Sequence, residues 1–243
     1  MRVTAVVLAA ALSIASSAFA QDWEQYVSIK DGFKIDFPGP PKITETPWKS
    51  EYGYMLPARV YTGDQGKAHY SMTVVDYNGI QKLGLERRAN CPAGAEPCQG
   101  GREGSPIGPG YSVQDIRGAL VYASFQFIKR DATITHYQWN WEDLVEGHEI
   151  HLTNHADQSR TMAFIAMREN RLYILEGTVP KGYPEPGLFF QSLGWVDKDG
   201  NGIRYQQIYV NEIYGLGLYP EPGHNQGGQG GQGGRAGGPA APR

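Results

Sequence analysis

Apolar and polar residues alternate from Phe33 to Phe37: Phe33, Ile35 and Phe37 fall on one side, Lys34 and Asp36 on the other. A period of two predicts a strand with one buried and one wet face. Asp31-Gly32 supplies the turn that enters it, and Pro38-Gly39-Pro40-Pro41 ends it, because proline offers no ladder N–H. Gln21 to Ile29 reads as an edge strand or lead-in, and Lys42 to Tyr54 alternates weakly as a further strand. Ala58 to Tyr61 and Ala68 to Tyr77 flank the turn residues Gly63-Asp64-Gln65-Gly66, which predicts a hairpin. Its second arm carries apolar residues on both faces and belongs inside a sheet.

The period then changes. Asn78 to Asn90 is polar with Ile80, Leu83 and Leu85, consistent with one helical piece, and Gln99 to Gly110 is loop. Val113, Ile116, Leu120, Ala123 and Phe127 recur three and four apart, which predicts an amphipathic helix over Val113 to Arg130. Ser112-Val113-Gln114-Asp115 resembles a capping box at its start. Strands follow at Thr133–Trp141 and Gly147–Thr153, with a turn between them at Glu142–Glu146. Thr161–Met167 and Leu172–Val179 form a hairpin closed at Arg168–Arg171. A short helix over Leu188–Trp195, a turn at Asp197–Gly202 and a last strand at Ile203–Val210 complete the pattern.

The two ends do not read as core. Arg2, the apolar run Val6–Ile14 and the A-x-A site Ala18-Phe19-Ala20 have the form of a secretory signal peptide over residues 1–20, so the expected location is periplasmic or secreted. Gln21, not a cysteine, stands directly after the cleavage site, and no later segment is apolar enough to span a membrane. Residues 221–243 are rich in Gly and Gln and read as a disordered tail. That leaves one domain over residues 22–220. The chain has 22 Lys and Arg against 25 Asp and Glu, which lacks the basic footprint of a nucleic-acid binder. Cys91 and Cys98 are the only cysteines; in an exported chain such a pair reads as a disulfide.

The order strand, hairpin, helix, antiparallel strands, helix, strand resembles the PsbP-like fold, an antiparallel sheet flanked by helices. The Asp31–Pro41 stretch resembles the D-G-F-x-x-x-F-P-x-x-P opening of small exported bacterial proteins of unknown function. Arg171–Glu176 matches the second arm of the late hairpin in that comparison, and Pro184–Phe189 the lead into the last helix. The resemblance implies an α+β fold and a role in interaction or assembly.

Three groups carry candidate chemistry. His148, His151 and His155 form the histidine cluster; its spacing is not H-E-x-x-H, and on a strand His148 points away from His151. Asp197, Asp199 and Asn201 imitate the start of a calcium loop, but position twelve is Ile208 where a bidentate Glu is needed. Tyr137, Trp139 and Trp141 share one strand face, which fits either a ligand platform or a core packed under the helix at Val113–Arg130. The core is the expected reading, since bare aromatic patches are uncommon on soluble monomers. No G-x-S-x-G, P-loop or zincin motif is present, and no cofactor is implied. The pattern therefore points to a non-catalytic binding or assembly module, with an envelope or small-molecule partner. The alternatives are a hydrolase or metal-dependent enzyme using the His148–His155 region, and an envelope structural protein.

Overall fold

A computed structural model describes residues 23–90, 111–206 and 208. The signal-peptide assignment, the Cys91–Cys98 pair and the glycine-rich tail lie outside the described residues.

Eleven strands and three helices run in the order β1 (Trp23–Ser28), β2 (Phe33–Pro38), β3 (Lys42–Lys49), β4 (Met55–Gln65), β5 (Ala68–Asp76), α1 (Ile80–Ala89), α2 (Tyr111–Ile128), β6 (Ala132–Glu142), β7 (Val145–Asn154), β8 (Arg160–Arg168), β9 (Arg171–Val179), α3 (Gly187–Gln191), β10 (Gly194–Val196) and β11 (Gly202–Ile203). They form two antiparallel sheets: a seven-stranded one in the order β3-β4-β5-β9-β8-β7-β6, and a four-stranded one in the order β1-β2-β10-β11.

This corrects the expected class. A single sheet flanked by helices, the α+β and PsbP-like arrangement, is not what the chain builds. Strand accounts for 51% of the described residues and helix for 20%, and two sheets pack together. The opening strand β2 does not join the main sheet. It pairs with β1 along its length and with β10 through Phe33 and Lys34. Trp195 consequently sits in a strand, and the last helix is one short turn, not the longer helix expected to Trp195. Helix α2 already includes Tyr111 and Ser112, so Ser112 is not its cap.

Two cores result, one on each face of the large sheet. On one face, Phe33, Ile35 and Phe37 of β2 meet Tyr61, Tyr70, Met72, Phe164 and Tyr173, with Phe189, Phe190 and Trp195 closing the layer. On the other, Ile116, Ala119, Ala123 and Phe127 of α2 pack on Ile150, Ala163, Ile165, Leu172 and Ile174. Val74 and Val75 fall in opposite cores, as the two-sided pattern of β5 requires. Two tight hairpins set the register. Asp143 and Leu144 (φ 46° and 63°) join β6 to β7, and Glu169 and Asn170 (φ 50° and 56°) join β8 to β9. Two consecutive left-handed residues give the turn whose twist matches flanking strands.

The turn before β2 is the lock between the sheets. Asp31 is wholly buried, and its carboxylate accepts from Arg59 Nε at 2.6 Å, from Arg59 Nη2, and from the Tyr61 hydroxyl. Burial, reinforced by this contact with Asp31, pushes the Tyr61 hydroxyl up to about 12. The Asp31 carbonyl accepts from Tyr173 Oη at 2.7 Å. Gly32 (φ +71°) accepts at its carbonyl from Val196 N at 3.1 Å and faces Arg168, whose Nη1 would lie 3.0 Å from a Cβ there. Strands β4, β8, β9 and β10 thus converge on two residues. Removing one partner of a buried ion pair leaves an uncompensated charge and typically costs about 3–5 kcal/mol. Asp31→Ala is expected to lose stability in that range by chemical denaturation; a loss under about 1 kcal/mol would show that the lock is not energetic.

Candidate functional site

The β6–β7 hairpin forms the outer margin of the seven-stranded sheet, with β6 last in the order. Helix α2 packs chiefly on β7, β8 and β9, and among the described hydrophobic residues of β6 only Ala132, at its start, packs against that core. One row of β6 side chains is therefore left beside the helix and not beneath it.

Tyr137, Trp139 and Trp141 make up that row, and they are 47%, 49% and 42% exposed. The structure corrects their expected place in the core. They share the helix side of the sheet, since Tyr137 pairs with buried Ile150 and Trp139 with His148. The Trp139 and Trp141 rings lie 5.1 Å apart at 49°. Trp139 Nε1 donates to Glu146 Oε2 at 3.2 Å, which holds a carboxylate next to the indole. Tyr137 Oη and Ser124 Oγ of α2 lie 3.1 and 2.8 Å from His148 Nδ1. Ser124 itself is buried and donates back to the Leu120 carbonyl at 2.9 Å, so it is no exposed nucleophile. Burial lowers the His148 pKa below the ordinary histidine value.

The three histidines diverge. His148 faces the helix. His151 faces the opposite side, where its Nε2 lies 2.6 Å from Glu149 Oε1 and its ring 4.9 Å from that of His136. His155 sits in the exposed turn after β7, with Asp131 at 2.7 Å and Thr133 at 2.9 Å. Among the described residues no three His, Cys, Asp or Glu side chains come together as a metal site. Asp197, Asp199 and Asn201 close the β10–β11 turn: Asp197 Oδ1 accepts from the Asp199 and Asn201 amides, both at 2.9 Å, and Gly200 adopts φ +84°. The amide of Asn201 leads in holding the Asp197 carboxyl below its usual range. The Asp197 carboxylate is committed to that turn.

A second row of β6 side chains is not among the residues expected from the sequence. His136, Gln138, Asn140 and Glu142 occupy the alternate positions of β6 and face the small-sheet side with Glu149 and His151. Asn140 Nδ2 donates to Glu149 Oε2. Burial, then the nearby Glu149 and Asp143 charges, pushes the Glu142 carboxyl up to about 7. The hairpin tip is pinned to the small sheet here, through Trp195 N to Asp143 Oδ2 and Trp195 Nε1 to the Glu142 carbonyl, each at 3.3 Å. The polar residues at 136, 138, 140 and 142, alternating with the aromatic row, were the available signal.

In comparisons with known proteins, no family model and no curated protein matches the chain. Among the described residues no helix is long and apolar enough to cross a membrane.

Glu142 gives a pH signature. Its folded pKa lies above the ordinary carboxylate value, so between the two the native chain binds more protons than the unfolded one. Its contribution to stability is present below the ordinary value and is lost as pH rises to about 7. Glu142→Gln is expected to raise the melting temperature by roughly 2–5 °C near pH 8 and to leave it nearly unchanged near pH 4. A uniform shift at both pH values would contradict the assignment.

Proposed function

We propose that the chain is an exported, non-catalytic recognition module whose binding element is the β6–β7 hairpin. The observation that carries this reading is the half-open aromatic row Tyr137, Trp139 and Trp141. Large aromatic side chains on a sheet margin bring contact area at low entropic cost, and their polar edges can hydrogen-bond a partner. They are also concentrated where alanine substitution costs most binding energy. The neighbouring polar groups, Glu146, His148 and the Tyr137 hydroxyl, would orient whatever stacks there. Export is supported by the signal-like residues 1–20. The histidines that an enzyme would draw together lie on opposite faces and in a turn, which favours binding over the hydrolytic alternative.

Two measurements separate surface from core. Trp139→Ala and Trp141→Ala should each change the unfolding free energy by less than about 1 kcal/mol, whereas Trp195→Ala, at a fully buried position, should cost about 3–5 kcal/mol. Across a panel of immobilised polysaccharides and peptides, any surface that retains the wild type should fail to retain the Trp139→Ala/Trp141→Ala double variant. Equal retention of the double variant would contradict the reading.

A further inference from the structure

Among the described residues both margins of the large sheet are open strands, but they are built differently. β3 carries Lys42, Glu45, Pro47 and Lys49 along its length, the charges and proline that discourage another strand from pairing. β6 has no Lys, Arg or Pro anywhere in Ala132–Glu142. Its one irregularity lies between Ile134 and His136; from His136 to Glu142 the ladder with β7 is regular. The outer backbone of that stretch is free among the described residues, because no strand follows β6 in the sheet order. Unpaired N–H and C=O groups in an even row are a template for strand addition.

Charge narrows the partner. Residues 131–159 contain Asp131, Glu142, Asp143, Glu146, Glu149 and Asp157 and no Lys or Arg. The whole chain has 22 basic against 25 acidic residues, so without these six the balance is 22 − 19, a positive remainder. The hairpin and the turns that flank it thus carry six carboxylates and no Lys or Arg. The nearest cations at its base are occupied: Arg130 forks onto Glu176 at 2.6 and 2.9 Å, and Lys129 lies over the Phe125 ring at 4.6 Å. Trp139 and Trp141 are half exposed next to the Glu146 carboxylate, and indole rings beside a carboxylate attract a cation by quadrupole and charge together.

Resting on the reading of β6 as the recognition element, we infer that its free edge accepts an extended, Lys- or Arg-rich polypeptide segment as an eighth strand. A strand added about 4.8 Å away would set alternate side chains over the Tyr137–Trp139–Trp141 row, within the roughly 6 Å reach of a cation–π contact. The other alternate side chains would meet Gln138, Asn140 and Glu142. Pairing with the β6 of a second copy would bring no cation, and the β3 edge of a second copy, which carries Lys42 and Lys49, is interrupted by Pro47, so the partner inferred is a different, basic chain.

The test uses the full chain and three synthetic octapeptides: alternating Lys and Val, alternating Glu and Val, and the Lys–Val sequence with proline at every valine. Tryptophan fluorescence and calorimetry should report saturable binding of the Lys–Val peptide that weakens with added salt, and at least about tenfold weaker binding of the other two. Trp139→Ala should weaken the Lys–Val complex at least about tenfold, and Glu146→Gln about threefold or more, with melting temperatures unchanged. No saturable binding of the Lys–Val peptide overturns the inference. So does equal binding of the proline peptide, which keeps the charge but lacks a backbone N–H at every second residue and cannot form a regular strand ladder. Sedimentation showing a dimer that Trp139→Ala converts to monomer also overturns it, since the edge would then belong to a second copy. If the peptide fails while Trp139 still governs retention on another surface of the panel, the recognition reading stands and only the basic-strand inference falls.

Discussion

Asp31 places a carboxylate where water cannot reach it, and three groups on β4 make that tolerable: the two nitrogens of the Arg59 fork and the Tyr61 hydroxyl. A buried charge is costly unless paired and hydrogen-bonded, so the turn has essentially one place to sit. Its backbone is fixed as firmly as its side chain. Tyr173 holds the Asp31 carbonyl, Val196 the Gly32 carbonyl, and Arg168 packs against Gly32 where no side chain would fit without displacement. The turn therefore sets how the β1-β2-β10-β11 sheet lies on the seven-stranded one. Phe33, Ile35 and Phe37 follow directly and fill the space between them. A buried pair of this kind is weak evidence for net stability, because desolvation offsets its attraction; its partners here pin the turn in place between two apolar surfaces.

Once that pin is set, the remainder of the large sheet is covered unequally. The small sheet and α3 bury one face of its centre, and α2 buries the other over β7, β8 and β9. Among the described residues neither layer covers Tyr137, Trp139 and Trp141, and no strand pairs with the outer backbone edge of β6. The hairpin is nevertheless not loose. Its tip is held to Trp195 through Asp143 and the Glu142 carbonyl, and Trp195 stacks edge-on to Tyr173, which belongs to the pin. A rigid element with an uncovered face is what binding without a large ordering cost requires.

Much of this was legible in the sequence. Alternation located β2, β5, β8 and β9, and the three-and-four spacing located α2. The parity of 148 and 151 already separated those histidines once the segment was a strand. The incomplete calcium pattern at Asp197 proved to be the turn its Asp, Asn and Gly residues encode. The second sheet was not legible, because it depends on Phe33 and Lys34 pairing with Trp195 and Gly194 across most of the chain. Nor was the openness of Trp139. The apolar stripe of α2 needed an aromatic or aliphatic partner, and the nearest in sequence was β6. Ile150, Ile165 and Ile174 supply that partner, and nothing local encodes how far sideways a helix settles on a sheet.

Amide hydrogen exchange across β6 and β7 tests the account most directly, because it reads backbone pairing at the margin residue by residue. If the pinned core leaves β6 as a free edge, alternate amides from His136 to Glu142 exchange orders of magnitude faster than their neighbours, while β7 amides paired on both sides stay protected with β8 and β9. Uniform slow exchange along β6 in the isolated chain would mean that its edge is already covered, and would contradict the account.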